Sequence, residues 1–421
     1  MGVGENGDDT QLSWINTELL EEIISSDLKK QVHVTNFEVT RAVPKGENYL
    51  SVLYRVAAEY KENEASTGTN KFYMIMKTLP EGELMQGFLE EMKGFEKEAR
   101  MYTEVLPLMY QLVKNRKGKI DLFSARRLTC SKEDIIVMED LKHLDYKMAL
   151  RKEGLDLDHC KIALRSVARF HAASLAVHKS DPKLIESYTE GLYRDHEDKE
   201  RRDLSKRTMN NNLEELASAV ETWPGYEKYG DKLRKIIPNS TERMINIVKP
   251  KKNSFNVLNH GDCWVNNMLF HYNPENGKVD DVRFVDFQIS RYSSPALDLH
   301  YFLCNCPNND VRMHHKDTLL EEYHRELYEY CKVLKVESDV ITLDQLKNEY
   351  EEKNFFGLLT ACTVLCVIIA DAESMPDTKD LTEKDMENNV FSRNAVRGRR
   401  FRDIFQKLLV YYDEKGLFEC N

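Results

Sequence analysis

The stretch NHGDCWVNNMLF, Asn259–Phe270, gives five of its twelve positions to His, Asp and Asn and then ends in an apolar tail. Such a loop suits a metal site, the surroundings of a nucleophile, a phosphoryl-transfer loop or a capped turn, and the spacing decides among them. Asp262 and Asn267 stand five positions apart. A carboxylate and a carboxamide so placed can hold one reacting phosphate between them, the first taking the acceptor hydroxyl's proton and the second binding magnesium. Magnesium needs further oxygen ligands. The Asn-Gly turn of NPENGK leads into VRFVDF, Val282–Phe287, a returning strand. Period two puts Val282, Phe284 and Asp286 on one face, with Asp286 at the strand end and the hairpin bringing it beside the loop. His260 is expected to pack and hydrogen-bond the loop rather than act as a base.

Towards the N-terminus the complementary positive charge appears. ENYLSVLYRVAAEY alternates at Val52, Tyr54, Val56, Ala58 and Tyr60, and KFYMIMKTLP reads as the strand returning from it. Lys77 closes YMIMK on the face of Tyr73 and Ile75, where it is expected to grip nucleotide phosphates. One helix is expected from about Leu84 to Val105. Its Phe95, Glu98 and Tyr102 share a face, and Glu98 is the expected partner of Lys77. Gly46, Asn48 and Ser51, in PKGENYLS, suit a loop covering phosphates. DIIVM is a short border strand, after which Glu139 and Leu141 of MEDL are expected to offer backbone groups to adenine.

Composition removes other classes. The 421 residues suffice for two lobes, and 41% hydrophobic with 31% charged residues is globular. A net charge of −11 argues against a broad nucleic-acid surface. Nine scattered cysteines without a CxxC pair, after a polar start, suggest a reduced, cytoplasmic setting. The run FFGLLTACTVLCVIIA, Phe355–Ala370, is short for a membrane span and reads as a buried helix. Cys304, Cys306, His314 and His315 do not have zinc spacing. No GxSxG is present, and Cys263 has no basic partner in its neighbourhood of sequence. No nucleic acid, membrane or obligate protein partner is expected.

The order of elements is a small β-rich lobe, a border strand, and a large helical lobe carrying a hairpin: α+β, with a cleft between lobes divided at 1–138 and 139–421. The series Lys77, Glu98, MEDL, HGDxxxxN and DF resembles the bilobal protein-kinase-like fold in its small-molecule branch, with aminoglycoside and choline phosphotransferases. In that fold a small antiparallel sheet with one key helix faces a larger helical lobe carrying the catalytic hairpin. GENYLSVLYRV, FxxExxxY, HGDCWVNNMLF and VDFQISRYSSPALDLHYFL together resemble the ecdysteroid kinase-like family of arthropods, from about Val39 to the C-terminus. The resemblance implies ATP and Mg as cofactors. It implies Asp262 as catalytic base, Asn267 and Asp286 as magnesium ligands, Lys77 and Glu98 as the ATP-binding pair, and Asp298 as the buried support of the loop. The acceptor it implies is a small hydroxylated molecule, an ecdysteroid or a related steroid or xenobiotic. Choline kinases usually have Asn at the position of Gly261 and Glu at that of Gln288, which argues against choline. A catalytically silent binding protein and a protein kinase are the competing readings. The short segment after Asp286 argues against the latter.

Overall fold

The computed structural model describes residues 12–43, 50–63, 68–370, 382, 384–385, 393 and 395–419. An antiparallel sheet of five strands forms the first lobe, in the order β1 (His33–Arg41), β2 (Val52–Lys61), β3 (Asn70–Thr78), β5 (Ile136–Glu139), β4 (Arg127–Leu128). β2 alternates between buried and half-buried positions along its whole length, as its sequence requires. Val52, Tyr54, Val56, Ala58 and Tyr60 face a core shared with Leu19, Leu20 and Ile23 of helix Thr17–Leu28. That helix starts at the Asn16 cap, so Leu12 and Ile15 precede it. Full burial stabilises each of the larger side chains by roughly 1.5–3 kcal/mol. The opposite faces of β2 and β3 are left for Leu53, Arg55, Ile75 and Lys77, which look into the cleft.

The single helix expected over 84–105 is broken. Helix Glu83–Glu91 ends, Lys93 takes a left-handed φ of 50°, and a second helix runs Gly94–Arg100 before a π-turn at Met101–Val105. Close packing explains the restart at a glycine: a Cβ on Gly94 would stand 2.3 Å from Leu89 Cδ1. Phe95, Glu98 and Tyr102 nevertheless reach the cleft side, where Tyr102 packs edge-on against Phe287.

The second lobe is built on helix Leu157–Ser180, capped by Asp156, which packs along helix Lys316–Leu334. Against it lies a three-stranded sheet, β6 (Lys147–Met148), β8 (Met268–Tyr272), β9 (Val279–Phe284), with Met268 opposite Phe284. A separate pair joins β7 (Val257–Asn259) to β10 (Arg291–Ser293). Residues 355–370 form a buried helical run, not one regular helix: Asn354–Thr360, a π-turn at Ala361–Leu365, then Cys366–Ile369. No single helix among the described residues is long and apolar enough to cross a membrane.

Candidate active site

Lys77 and Glu98 meet as expected. The Lys77 Nζ is 2.6 Å from Glu98 Oε2 and 2.9 Å from Asp286 Oδ1, and both Lys77 and Glu98 are almost wholly buried. Burial alone would lower the lysine's pKa, but Asp286 and Glu98 outweigh it and raise it, so Lys77 stays an ammonium. Burial pushes Glu98 upward, against the pull of Lys77 and of the Phe287 N–H that donates to Oε1 at 3.3 Å. Two carboxylates share one ammonium here. Further positive charge would relieve that excess.

Asp286 reaches this place by a route the alternation does not describe. β9 ends at Phe284, and Asp286 has a φ of 68°. A left-handed turn, not strand periodicity, aims the carboxylate at Lys77. The turn is tied to the preceding loop by the Val285 N–H donating to the Asn267 carbonyl at 3.1 Å. His260 ties it from the other side. Its Nε2 donates to the Val285 carbonyl (3.1 Å) and its Nδ1 accepts the Asp262 N–H (3.2 Å), a pattern that assigns the neutral tautomer. Burial lowers its pKa, in keeping with that form. His260 is a structural member of the loop.

Asn267 donates through Nδ2 to Asp262 Oδ2 at 2.8 Å and to the Asp262 carbonyl at 3.0 Å, which leaves its amide oxygen for a cation. Tyr301 donates to Asp262 Oδ1 at 2.5 Å. Burial, and then the charge of Asp286, push the Asp262 carboxyl up to about 7, while Tyr301 and Asn267 pull it back. Asp298 holds the loop backbone: Oδ2 accepts the His260 N–H at 2.7 Å and Oδ1 the Gly261 N–H at 2.9 Å. Burial would raise its pKa, but the hydrogen bond and charge of His171 and the backbone donors lower it. Gly261 is required twice over. Its φ is 85°, and a Cβ there would lie 2.2 Å from the Ile289 carbonyl oxygen.

Lys77, Glu98, Asp262, Asn267 and Asp286 line one cavity of about 220 Å3 between the lobes. Lys77, Asp286, Asn267 and Asp262 occupy its polar end, while Ile75, Met138, Leu141 and Leu269 give it apolar walls suited to a planar ring. Leu141 opens a 3-10 turn, where its N–H has no intrahelical acceptor. Glu139 also lines the cavity, but its carboxylate accepts the Arg126 N–H at 2.8 Å and its own N–H donates to the Arg126 carbonyl at 2.9 Å. Ser51 is buried and is not on this wall. Gly46 and Asn48 lie outside the described residues.

Asn267 and Asp286 form a hard-oxygen donor set that fits magnesium completed by phosphate oxygens and water. No group of three His, Cys, Asp or Glu suited to a metal occurs among the described residues. Sequence reasoning missed Arg55, which pairs with Asp140 at 2.6 Å beside the same cavity, although the alternation of β2 already put Arg55 on the cleft face. It also gave Tyr301 no place in the site, whereas Tyr301 donates to Asp262. Its signal is a position three residues after Asp298 on one helix.

A second, larger cavity of about 1040 Å3 lies between helix Glu83–Glu91 and helix Lys199–Val220. Leu84, Phe88, Leu192 and Met209 supply apolar wall, with Thr208 and Asn212 among the polar groups. Its 191–193 segment also borders a small cavity of about 40 Å3, whose other wall includes Gly261 and Tyr301. Segment 187–207, a dense charge run that reads as a solvated helix face or loop, is in part an inner wall.

A family model described as the ecdysteroid kinase-like family matches residues 45–336, more than half of the chain. No curated protein matches it.

Proposed function

The chain belongs to the ecdysteroid kinase-like family, and from that premise we propose that it is an ATP- and Mg-dependent kinase for a hydroxyl of a small molecule, an ecdysteroid or a related steroid or xenobiotic. One observation carries the reading: Lys77–Glu98, Asp286, Asn267 and Asp262 converge on one end of a single cavity from both lobes.

In this reading Lys77 grips the phosphates, and Glu98 keeps its ammonium aimed at them. Lys77 also contacts Asp286, so a phosphate oxygen taking up the Lys77 ammonium would leave the Asp286 carboxylate for a cation. Magnesium held by Asn267 and Asp286 supplies neutralising charge at the phosphates. Asp262 accepts the proton of the acceptor hydroxyl, with its two oxygens steadied by Asn267 and Tyr301. Positioning and charge are most of what phosphoryl transfer asks of a protein.

The larger cavity supports a bulky acceptor. At about 1040 Å3 it lies at the upper end of the small-molecule range, and its walls mix aliphatic and hydroxyl or amide groups with the charged side chains of Glu83, Glu91, Arg194 and Arg201. That suits a polyhydroxylated apolar body. A quaternary ammonium calls for an aromatic cage, and Phe88 and Tyr193 are the aromatic members of this lining. The test is an acceptor screen with labelled ATP and magnesium over ecdysteroids, other sterols, choline and aminoglycosides. Label on a steroid supports the proposal. Label on choline alone, or on no acceptor with ATP still bound, sinks it in favour of a choline-type kinase or a silent binding protein.

A further inference from the structure

Helix Ala296–Asn305 presents two polar side chains, Asp298 and Tyr301, to one loop from positions i and i+3. Asp298 fixes the loop's backbone through the His260 and Gly261 N–H groups. Tyr301 fixes the loop's carboxylate, donating to Asp262 Oδ1 at 2.5 Å, while Asn267 donates to Oδ2 at 2.8 Å. With a donor on each oxygen, the carboxylate cannot turn about its terminal torsion without losing a hydrogen bond.

We propose that Tyr301 is a positioning residue for phosphoryl transfer, holding the Asp262 carboxylate at the angle from which it meets the acceptor hydroxyl. The proposal rests on Asp262 being the base, as proposed above. Its geometry distinguishes it from an acceptor contact. Tyr301 is 5% exposed, and its ring sits in the apolar cluster with Trp223, Phe356 and Leu359. It lines neither the cavity holding Lys77 nor the larger one beyond segment 191–193. Burial, followed by the neighbouring Asp262, holds the phenol well above its ordinary pKa, so it remains a donor throughout. In the transfer step the acceptor oxygen bonds to the γ-phosphorus and the bond from that phosphorus to the β,γ-bridging oxygen breaks. The hydroxyl proton passes to Asp262. Tyr301 keeps its own proton and takes no part in the exchange.

The test is Tyr301→Phe in the full chain, read by single-turnover transfer, acceptor and ATP KM, and melting temperature. A hydrogen bond to a charged group contributes roughly 1.5–3 kcal/mol, so the transfer rate is expected to fall about 10- to 150-fold. ATP KM should stay unchanged, the melting temperature should fall by no more than the roughly 3–12 °C that one such hydrogen bond is worth, and the share of ATP hydrolysed without transfer should rise. In an Asp262→Asn background the same change should alter the residual rate less than about twofold, because coupled residues are not additive. A raised acceptor KM at unchanged rate would make Tyr301 an acceptor contact and overturn the proposal; so would equal losses in both backgrounds. If Tyr301→Phe does not fold, a fluorinated tyrosine at 301 retains the shape while changing donor strength. A transfer rate indifferent to fluorination then overturns it. Full activity in Asp262→Asn alone would instead refute the base assignment beneath it.

Discussion

Gly261→Ala is the substitution whose consequence follows most directly from the coordinates. The new Cβ would stand 2.2 Å from the Ile289 carbonyl oxygen and 2.8 Å from its carbon, at a φ of 85° that L-residues rarely adopt. Backbone atoms cannot swing aside as a side-chain tip can. Ile289 is also held in place, since its neighbour Ser290 donates through Oγ to the His260 carbonyl at 3.1 Å. The left-handed conformation costs roughly 1–2 kcal/mol in a non-glycine residue, and forced overpacking roughly 1–3 kcal/mol. A total of about 2–5 kcal/mol follows. At about 2–4 °C per kcal/mol for a unit of 150–250 residues, the melting temperature should drop by roughly 4–20 °C. Part of the strain can be released by moving the loop, which displaces the Gly261 N–H from Asp298 and tilts Asp262, so transfer should fall as well. Differential scanning fluorimetry and a transfer assay on the same preparations measure both. Gly261→Asn is the informative partner, because Asn tolerates a left-handed φ but still carries a Cβ. If Asn restores wild-type stability, the steric clash is refuted and only φ mattered. If Ala itself lies within about 0.5 kcal/mol of wild type, the whole argument fails.

Three further outcomes are expected. Lys77→Met and Glu98→Gln should each weaken ATP binding at least about tenfold by calorimetry, the first by removing the ammonium and the second by leaving it unsteered. The stability contributed by His300 should fall as pH drops below about 6.5, while the raised carboxyls of Asp262 and Glu98 act in the opposite direction. His300, buried with Nε2 on the Tyr350 carbonyl, is held down to about 3, so between 6.5 and about 3 the unfolded chain takes a proton that the folded chain refuses. The slope from this group approaches about 1.4 kcal/mol per pH unit, so in a urea series at pH 7.5, 6 and 5 His300→Asn should gain stability relative to wild type as the pH falls. Asp298→Ala leaves the His260 and Gly261 N–H groups buried without their acceptor and should destabilise by about 2–5 kcal/mol in denaturant titration, whereas an unchanged midpoint would deny Asp298 its supporting role.

Local rules reached far into this fold. The alternation of Val52 to Tyr60 fixed both the buried face of β2 and, by subtraction, the cleft face bearing Arg55. Asp156, a residue type that favours helix starts, caps helix Leu157–Ser180. Lys77, Glu98, Asp262, Asn267 and Asp286 came together because each was read with its partner in mind, and a buried charge needs one. What escaped depends on tertiary contact. The break at Lys93 follows from Gly94 packing on Leu89, and the period of the sequence carries no mark of it. Asp286 obeys a left-handed turn that an alternating pattern cannot encode. Tyr301 reads as one more apolar aromatic until Asp262 is seen across from it, 39 positions away. Segment 187–207 reads as solvated because its charges are dense, yet Tyr188 is fully buried and Arg194 turns inward to Glu91.

The central claim is that the cavity between the lobes binds ATP with magnesium and that Asp262 then takes the acceptor's proton. Nucleotide binding and transfer to an ecdysteroid, measured side by side on wild type and Asp262→Asn, test it most directly. The account predicts equal ATP affinity in the two proteins, with transfer lower in the variant by about 100- to 10,000-fold. Transfer undiminished in Asp262→Asn, or ATP bound by neither protein, would contradict it.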